Sequence, residues 1–164
     1  MPVSNTYEPI ATTTLISAVP SVTFGSIPQT YTDLVLIYNG TSGVTNLPIR
    51  FNSDTGSNYS YIRTFGDGST AYSDREPGLS YGVYAIGSSE RTLATISINN
   101  YFNTTTFKTL LGRGNYTGSG YVSMFASLWR STAAITSITL YGNTNFSTNF
   151  SVGSTFTLYG IKAA

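Results

Sequence analysis

Short apolar runs along the chain are broken at close intervals by Gly, Pro, Asn and Ser, and this rhythm predicts strands rather than helices. Ile10 to Ala18 is the first candidate, stopped by Pro20. Val22-Thr23-Phe24 is a short second one, closed by Gly25 and Pro28. Asp33 to Tyr38 is apolar on both faces, the mark of a central strand. Pro48 to Asn52 and Tyr59 to Phe65 flank a turn at Asp54-Thr55-Gly56-Ser57, and Gly66-Asp67-Gly68-Ser69 reads as a tight turn. Tyr81 to Ile86, Leu93 to Asn99, Phe107 to Leu111, Tyr121 to Trp129, Ile135 to Tyr141 and Thr155 to Ile161 complete the series. Ser131 to Ala134 reads as a short turn or 3₁₀ piece. Strong helix formers are scarce, while β-branched and aromatic residues, which suit a pleated half-buried surface, dominate. The pattern predicts an all-β, single-domain antiparallel β-sandwich, jelly-roll-like, of about 8–10 strands. It spans residues 10–164, with Met1 to Pro9 as an extended polar arm.

Composition narrows the chemistry. Charged residues are 9% of the chain, against about 25% in ordinary proteins. Thr, Ser, Gly and Asn supply nearly half of the 164 residues. There is no His and no Cys. A Ser-His-Asp triad, a Cys nucleophile and a His/Cys zinc or haem site are therefore excluded. A net charge of +1 gives no dense basic surface for nucleic acid. No basic region followed by an apolar stretch opens the chain, so no signal peptide is read. No run approaches the roughly 20 apolar residues of a membrane helix. Six Asn-x-Ser/Thr sequons, at Asn39, Asn58, Asn103, Asn115, Asn145 and Asn149, are what a chain this rich in Asn, Ser and Thr produces by chance.

The acidic residues Asp54, Asp67, Asp74 and Glu76 lie in the middle of the chain. Paired carboxylates perform glycoside hydrolysis, but Asp54 and Asp67 sit in turn sequences and Asp74-Arg75-Glu76 reads as a solvated loop with its own counter-charge. Asp54 to Asn58 offers oxygens to Ca²⁺ but lacks the multi-acid pattern of a calcium loop. Gly112-Arg113-Gly114 and Gly118-Ser119-Gly120 read as flexible-turn material. No catalytic residue, metal site or cofactor is assigned. Candidate contact residues are Asp54, Asn58, Tyr59, Asp67 and Tyr72, where aromatic rings stand beside amide and carboxylate groups. Tyr7 and Pro9, in the arm, are the candidate anchors on a neighbouring subunit or protein.

Two segments carry a resemblance. Pro48-Ile49-Arg50-Phe51-Asn52-Ser53-Asp54-Thr55-Gly56-Ser57-Asn58-Tyr59-Ser60-Tyr61 resembles a module of the virion proteins of tailed bacteriophages. Leu128-Trp129-Arg130-Ser131-Thr132-Ala133-Ala134-Ile135, through Ser137 to Tyr141, resembles its second half, and Gly153 to Ile161 its closing strand. Ser26 to Leu36 and Asn103 to Thr109 also fit, so the likeness runs from about Ser21 onward. It implies a β-sandwich virion component without a catalytic motif. Asp54 to Asn58 is then a loop, and Phe51, Tyr59 and Trp129 are packing residues. The expected function is a capsid decoration, or cement, protein. It would be a homotrimer bound outside the major capsid protein shell, made in the host cytoplasm and residing on the virion surface. The alternative is a tail-fibre or appendage tip that attaches to host surface glycans. Low charge suits either setting, because there is little self-repulsion to oppose close repeated packing.

Overall fold

The computed structural model describes residues 6–43, 46–118 and 120–162. Among them are twelve strands: β1 (Tyr7–Thr14), β2 (Ser21–Phe24), β3 (Asp33–Gly40), β4 (Asn46–Phe51), β5 (Tyr59–Gly66), β6 (Ala71–Leu79), β7 (Gly82–Ile86), β8 (Thr92–Asn99), β9 (Lys108–Tyr116), β10 (Tyr121–Trp129), β11 (Ile138–Tyr141) and β12 (Thr155–Ile161). They build two antiparallel sheets, ordered β1-β12-β3-β8-β9-β10-β5-β6 and β2-β11-β4-β7.

The pairing is nested. β1 pairs with β12, β2 with β11, β3 with β8, and β4 with β7. Those eight strands form two sheets of four, wrapped as in a jelly roll. The remaining four arrive as two hairpins. β5–β6 is inserted between β4 and β7, and β9–β10 between β8 and β11. Both hairpins join the same sheet, which becomes twice as wide as its partner.

Period-2 alternation sets the core. On β3, Leu34, Leu36 and Tyr38 are fully buried while Val35 and Ile37 turn outward. Phe156 and Leu158 of β12 and Ile96 and Ile98 of β8 continue that inner layer, facing Ile49, Phe51, Ile138 and Leu140 of the small sheet. Each such burial contributes roughly 2 kcal/mol. Tyr38 stacks on Phe156 at 4.9 Å, and Phe150 closes the knot at 4.8 Å from Phe156.

Several sequence expectations need correction. Asp74-Arg75-Glu76 is not a loop but the middle of β6, an edge strand whose first eight residues are all exposed. Its exposure removes the hydrophobic alternation that marks a strand, and its charges and Pro77 protect a free edge. Gly112-Arg113-Gly114 is not a turn but part of β9, which runs on to Tyr116. A Cβ at Gly112 would lie 2.4 Å from the Tyr84 carbonyl oxygen, so β7 lies against β9 there because that position has no side chain. The last residues of the expected arm are strand. Tyr7 and Pro9 belong to β1 and pair with Ile161 and Tyr159, while Met1 to Asn5 lie outside the described residues. β11 begins at Ile138 rather than Ile135, and Ser131 to Ala134 carries no 3₁₀ turn.

Tyr84, fully buried on β7, has a hydroxyl with no hydrogen-bond partner among the described residues. Burial raises its pKa well above the ordinary tyrosine value. Tyr84→Phe removes an unsatisfied polar atom and keeps the ring, which stands edge-on to Tyr38 at 6.2 Å. It is expected to leave stability unchanged or raise it by about 1 kcal/mol in urea denaturation. A loss of stability would show that the hydroxyl has a partner.

Candidate functional site

The segments 48–61 and 128–141 meet at one corner. Asp54 accepts hydrogen bonds from the Gly56 backbone N–H at 2.8 Å, the Asn58 amide at 2.9 Å and the Trp129 indole N–H at 2.7 Å. Trp129 packs on Phe51 at 5.5 Å and on Tyr59 at 6.2 Å. Asn52, next to this turn, accepts from the Thr136 and Ser137 N–H groups and donates to the Ala134 carbonyl. The β4–β5 and β10–β11 connections are thereby tied together. Burial opposes ionisation of Asp54, but the bonds from Trp129, Asn58 and Gly56, with the charge of Arg50, outweigh it and hold its pKa below the usual carboxylate value.

This geometry changes the standing of three candidate contact residues. Tyr59 is 1% exposed and cannot touch a partner. Its hydroxyl accepts from the Phe51 N–H at 3.0 Å. Asp54 and Asn58 are spent on each other and on the clasp. Nearby, Lys108 is 1% exposed and donates to the Thr106 and Thr132 carbonyls, joining two more connections at this end. Burial lowers its pKa.

Asp67 and Tyr72 lie at the other end, on the β5–β6 hairpin. Asp67 accepts from the Ser69 and Thr70 N–H groups and from the Ser69 hydroxyl, with Gly68 at φ 90° inside the turn. These bonds hold its pKa below the usual value. Tyr72 is 48% exposed and begins a ladder of stacked rings. It stacks on Phe65 at 5.0 Å, Phe65 on Tyr121 at 5.4 Å, and Tyr121 on Tyr116 at 4.7 Å. The ladder stands on the inner face of the widened sheet. Arg63 lies over Phe65 at 4.6 Å and holds Asp74 at 2.5 Å. Glu76 accepts from the Tyr61 hydroxyl at 3.2 Å. The four carboxylates of the middle segment thus sit in separate structural contacts. Asp74 takes its charge partner from β5, not from the adjacent Arg75.

The surface that sequence reading missed is the outer face of the hairpin extension. Strand register lays its outward side chains in rows. One row is Leu93, Asn115, Val122, Gly66 and Ala71; the next is Thr95, Arg113, Met124, Thr64 and Ser73; a third is Ser97, Leu111, Ala126, Ile62 and Arg75. Ile62, Leu93, Leu111, Val122 and Met124 are between 46% and 65% exposed. Two adjoining depressions, of about 1050 and about 710 Å³, lie along these rows. The first stretches from β8 across to β6, which requires the sheet to curl around it. Contiguous exposed apolar side chains of this kind mark interaction surfaces. The signal was present in β10, where Val122 and Met124 alternate with inward Ser123 and Phe125, but sequence alone does not say which set the small sheet covers.

No family model matches the chain, and no curated protein matches it. Among solved structures the chain is similar to a mutant of the alginate lyase Aly36B in complex with an alginate tetrasaccharide. The TM-score is 0.30 at 9% sequence identity, with 90% of this chain and 73% of that chain covered. A likeness of that degree says nothing about what this chain does.

Proposed function

We propose that the chain is a structural protein of a tailed-bacteriophage particle, a decoration protein seated outside the major capsid shell. Self-association as a homotrimer and a place on the virion surface follow from the resemblance of its Pro48–Tyr61 and Leu128–Tyr141 segments. Its work is mass action: a partner that binds only the assembled shell stabilises that shell.

The observation that carries this reading is the widened sheet. Two hairpins are spent on building a broad surface with exposed apolar rows, beyond what the eight-stranded wrapping needs. The carboxylates that hydrolysis would use are committed to turns, a clasp and an ion pair. Holding is favoured over adhering to glycans. Sugars stack on ring faces, and the rings of the ladder between its end members Tyr72 and Tyr116 have both faces occupied by one another.

Copies per particle, counted by quantitative mass spectrometry on purified virions, test the proposal. A number commensurate with the shell lattice is expected. A number matching a single appendage would overturn decoration and return the receptor-tip alternative.

A further inference from the structure

We propose that the outer face of the β9-β10-β5-β6 extension docks an extended segment of another protein in which acidic and aliphatic side chains alternate. This deepens the decoration reading by naming the chemistry of the partner.

Charge is distributed unevenly over this face. Its outward rows carry Arg113 on β9 and Arg75 on β6, and Arg130 stands just past the end of β10. The acidic residues of the same strands point the other way: Asp74 pairs with Arg63 and Glu76 with Tyr61, on the inner face. Among the described residues no carboxylate stands in the outward rows of β8, β9, β10, β5 and β6. Arg113 and Arg75 have neither a hydrogen bond nor an ion pair there. Arg130 bonds to the Ser60 hydroxyl at 3.0 Å but has no carboxylate. The face is therefore cationic at its margins and apolar in its floor, in a chain whose net charge is +1.

The spacing suits a β-strand. Arg113 and Arg75 are three strands and one row apart, which at strand and row spacings places them roughly 16 Å from each other. Between them lie Met124 and Ile62. An extended segment crossing the depressions sets alternate side chains on the floor and its carboxylates against the arginines. A second copy of the same face is disfavoured, because it would set arginines against arginines. An acidic polysaccharide would meet the charges but finds an aliphatic floor, with the rings turned to the inner face.

The test uses the purified chain and a fluorescent peptide, about ten residues long, of alternating glutamate and leucine. Fluorescence anisotropy is read at low and moderate salt. Binding is expected to weaken with salt. It is also expected to fall roughly tenfold in the double variant Arg75→Glu/Arg113→Glu, and similarly in Met124→Asn. These positions are on the surface, and unchanged thermal unfolding confirms that the variants are folded. No binding by the wild-type chain would overturn the proposal. So would equal binding of a lysine–leucine peptide, or binding undiminished in the variants. Competition by polyglutamate or a polyuronate as effective as the unlabelled peptide would also overturn it, in favour of a simple polyanion site. The assay needs no particle, so its failure leaves the copy count standing, and a tail-like copy count leaves the binding result standing.

Discussion

Gly112→Val is expected to cost at least about 3 kcal/mol and to lower Tm by about 10 °C. The ground is a close approach of two backbones, which side-chain repacking cannot relieve. A Cβ at this position lies 2.4 Å from the Tyr84 carbonyl oxygen and 3.3 Å from its carbonyl carbon. Tyr84 sits in the middle of β7, fixed by its own buried ring. Relief therefore requires β7, the strand that holds the small sheet against the hairpin extension, to move away from β9. A valine adds two methyl groups to that gap. Gly112→Ala carries the same Cβ and is expected to fall between wild type and valine. Arg113→Ala, one residue along and pointing outward, should leave Tm within about 1 °C, since surface changes of this kind are small. Equal Tm values for all three would mean that the sheets do not meet at Gly112.

Asp54→Ala is the second large effect, expected at about 2–3 kcal/mol. The substitution removes three hydrogen bonds to a carboxylate and leaves the indole N–H of Trp129, a residue only 2% exposed, without its acceptor. Asp54→Asn keeps an acceptor oxygen and should lose less. The two are separated further by pH. Because the folded carboxylate titrates below 3.8, its contribution is complete above that value and is lost as the pH falls through the folded pKa. Wild type should therefore lose stability below about pH 4 while Asp54→Asn shows a flatter acid limb. Urea midpoints between pH 3 and 6, with Trp129 fluorescence as the probe, read both effects. Parallel acid limbs would mean that the clasp does not depend on the charge.

The sequence made the β-sandwich legible because burial on most strands follows the pleat, as on β3, β10 and β12. It misled where that logic is suspended. β6 has nothing to bury its first eight residues against, so charge and Pro77 read as loop. β9 carries glycines where a neighbouring strand lies close, so it read as turn. Phe51, Tyr59 and Trp129 pack together as expected, while Asp54, Asn58 and Tyr59, expected as contacts, stand in the same corner. Spacing along the chain does not show that Tyr59 turns into the core or that Asp54 and Asn58 bond to each other, because both depend on Trp129 arriving from β10. The outward rows could not be foreseen, because which face of a sheet the second sheet leaves open is a property of topology.

The nested pairing has a consequence for synthesis. β4 and β7 are the innermost partners, whereas β1, the first of the twelve strands, pairs only with β12, the last of them. The small sheet has all its strands once β11 is made, but the large sheet lacks β12 until Thr155 to Ile161 has followed, and β3 lacks that neighbour until then. Such long-range pairing folds slowly. Chains stalled before Thr155 are left with open edges on β1 and β3, the kind of edge that recruits other chains.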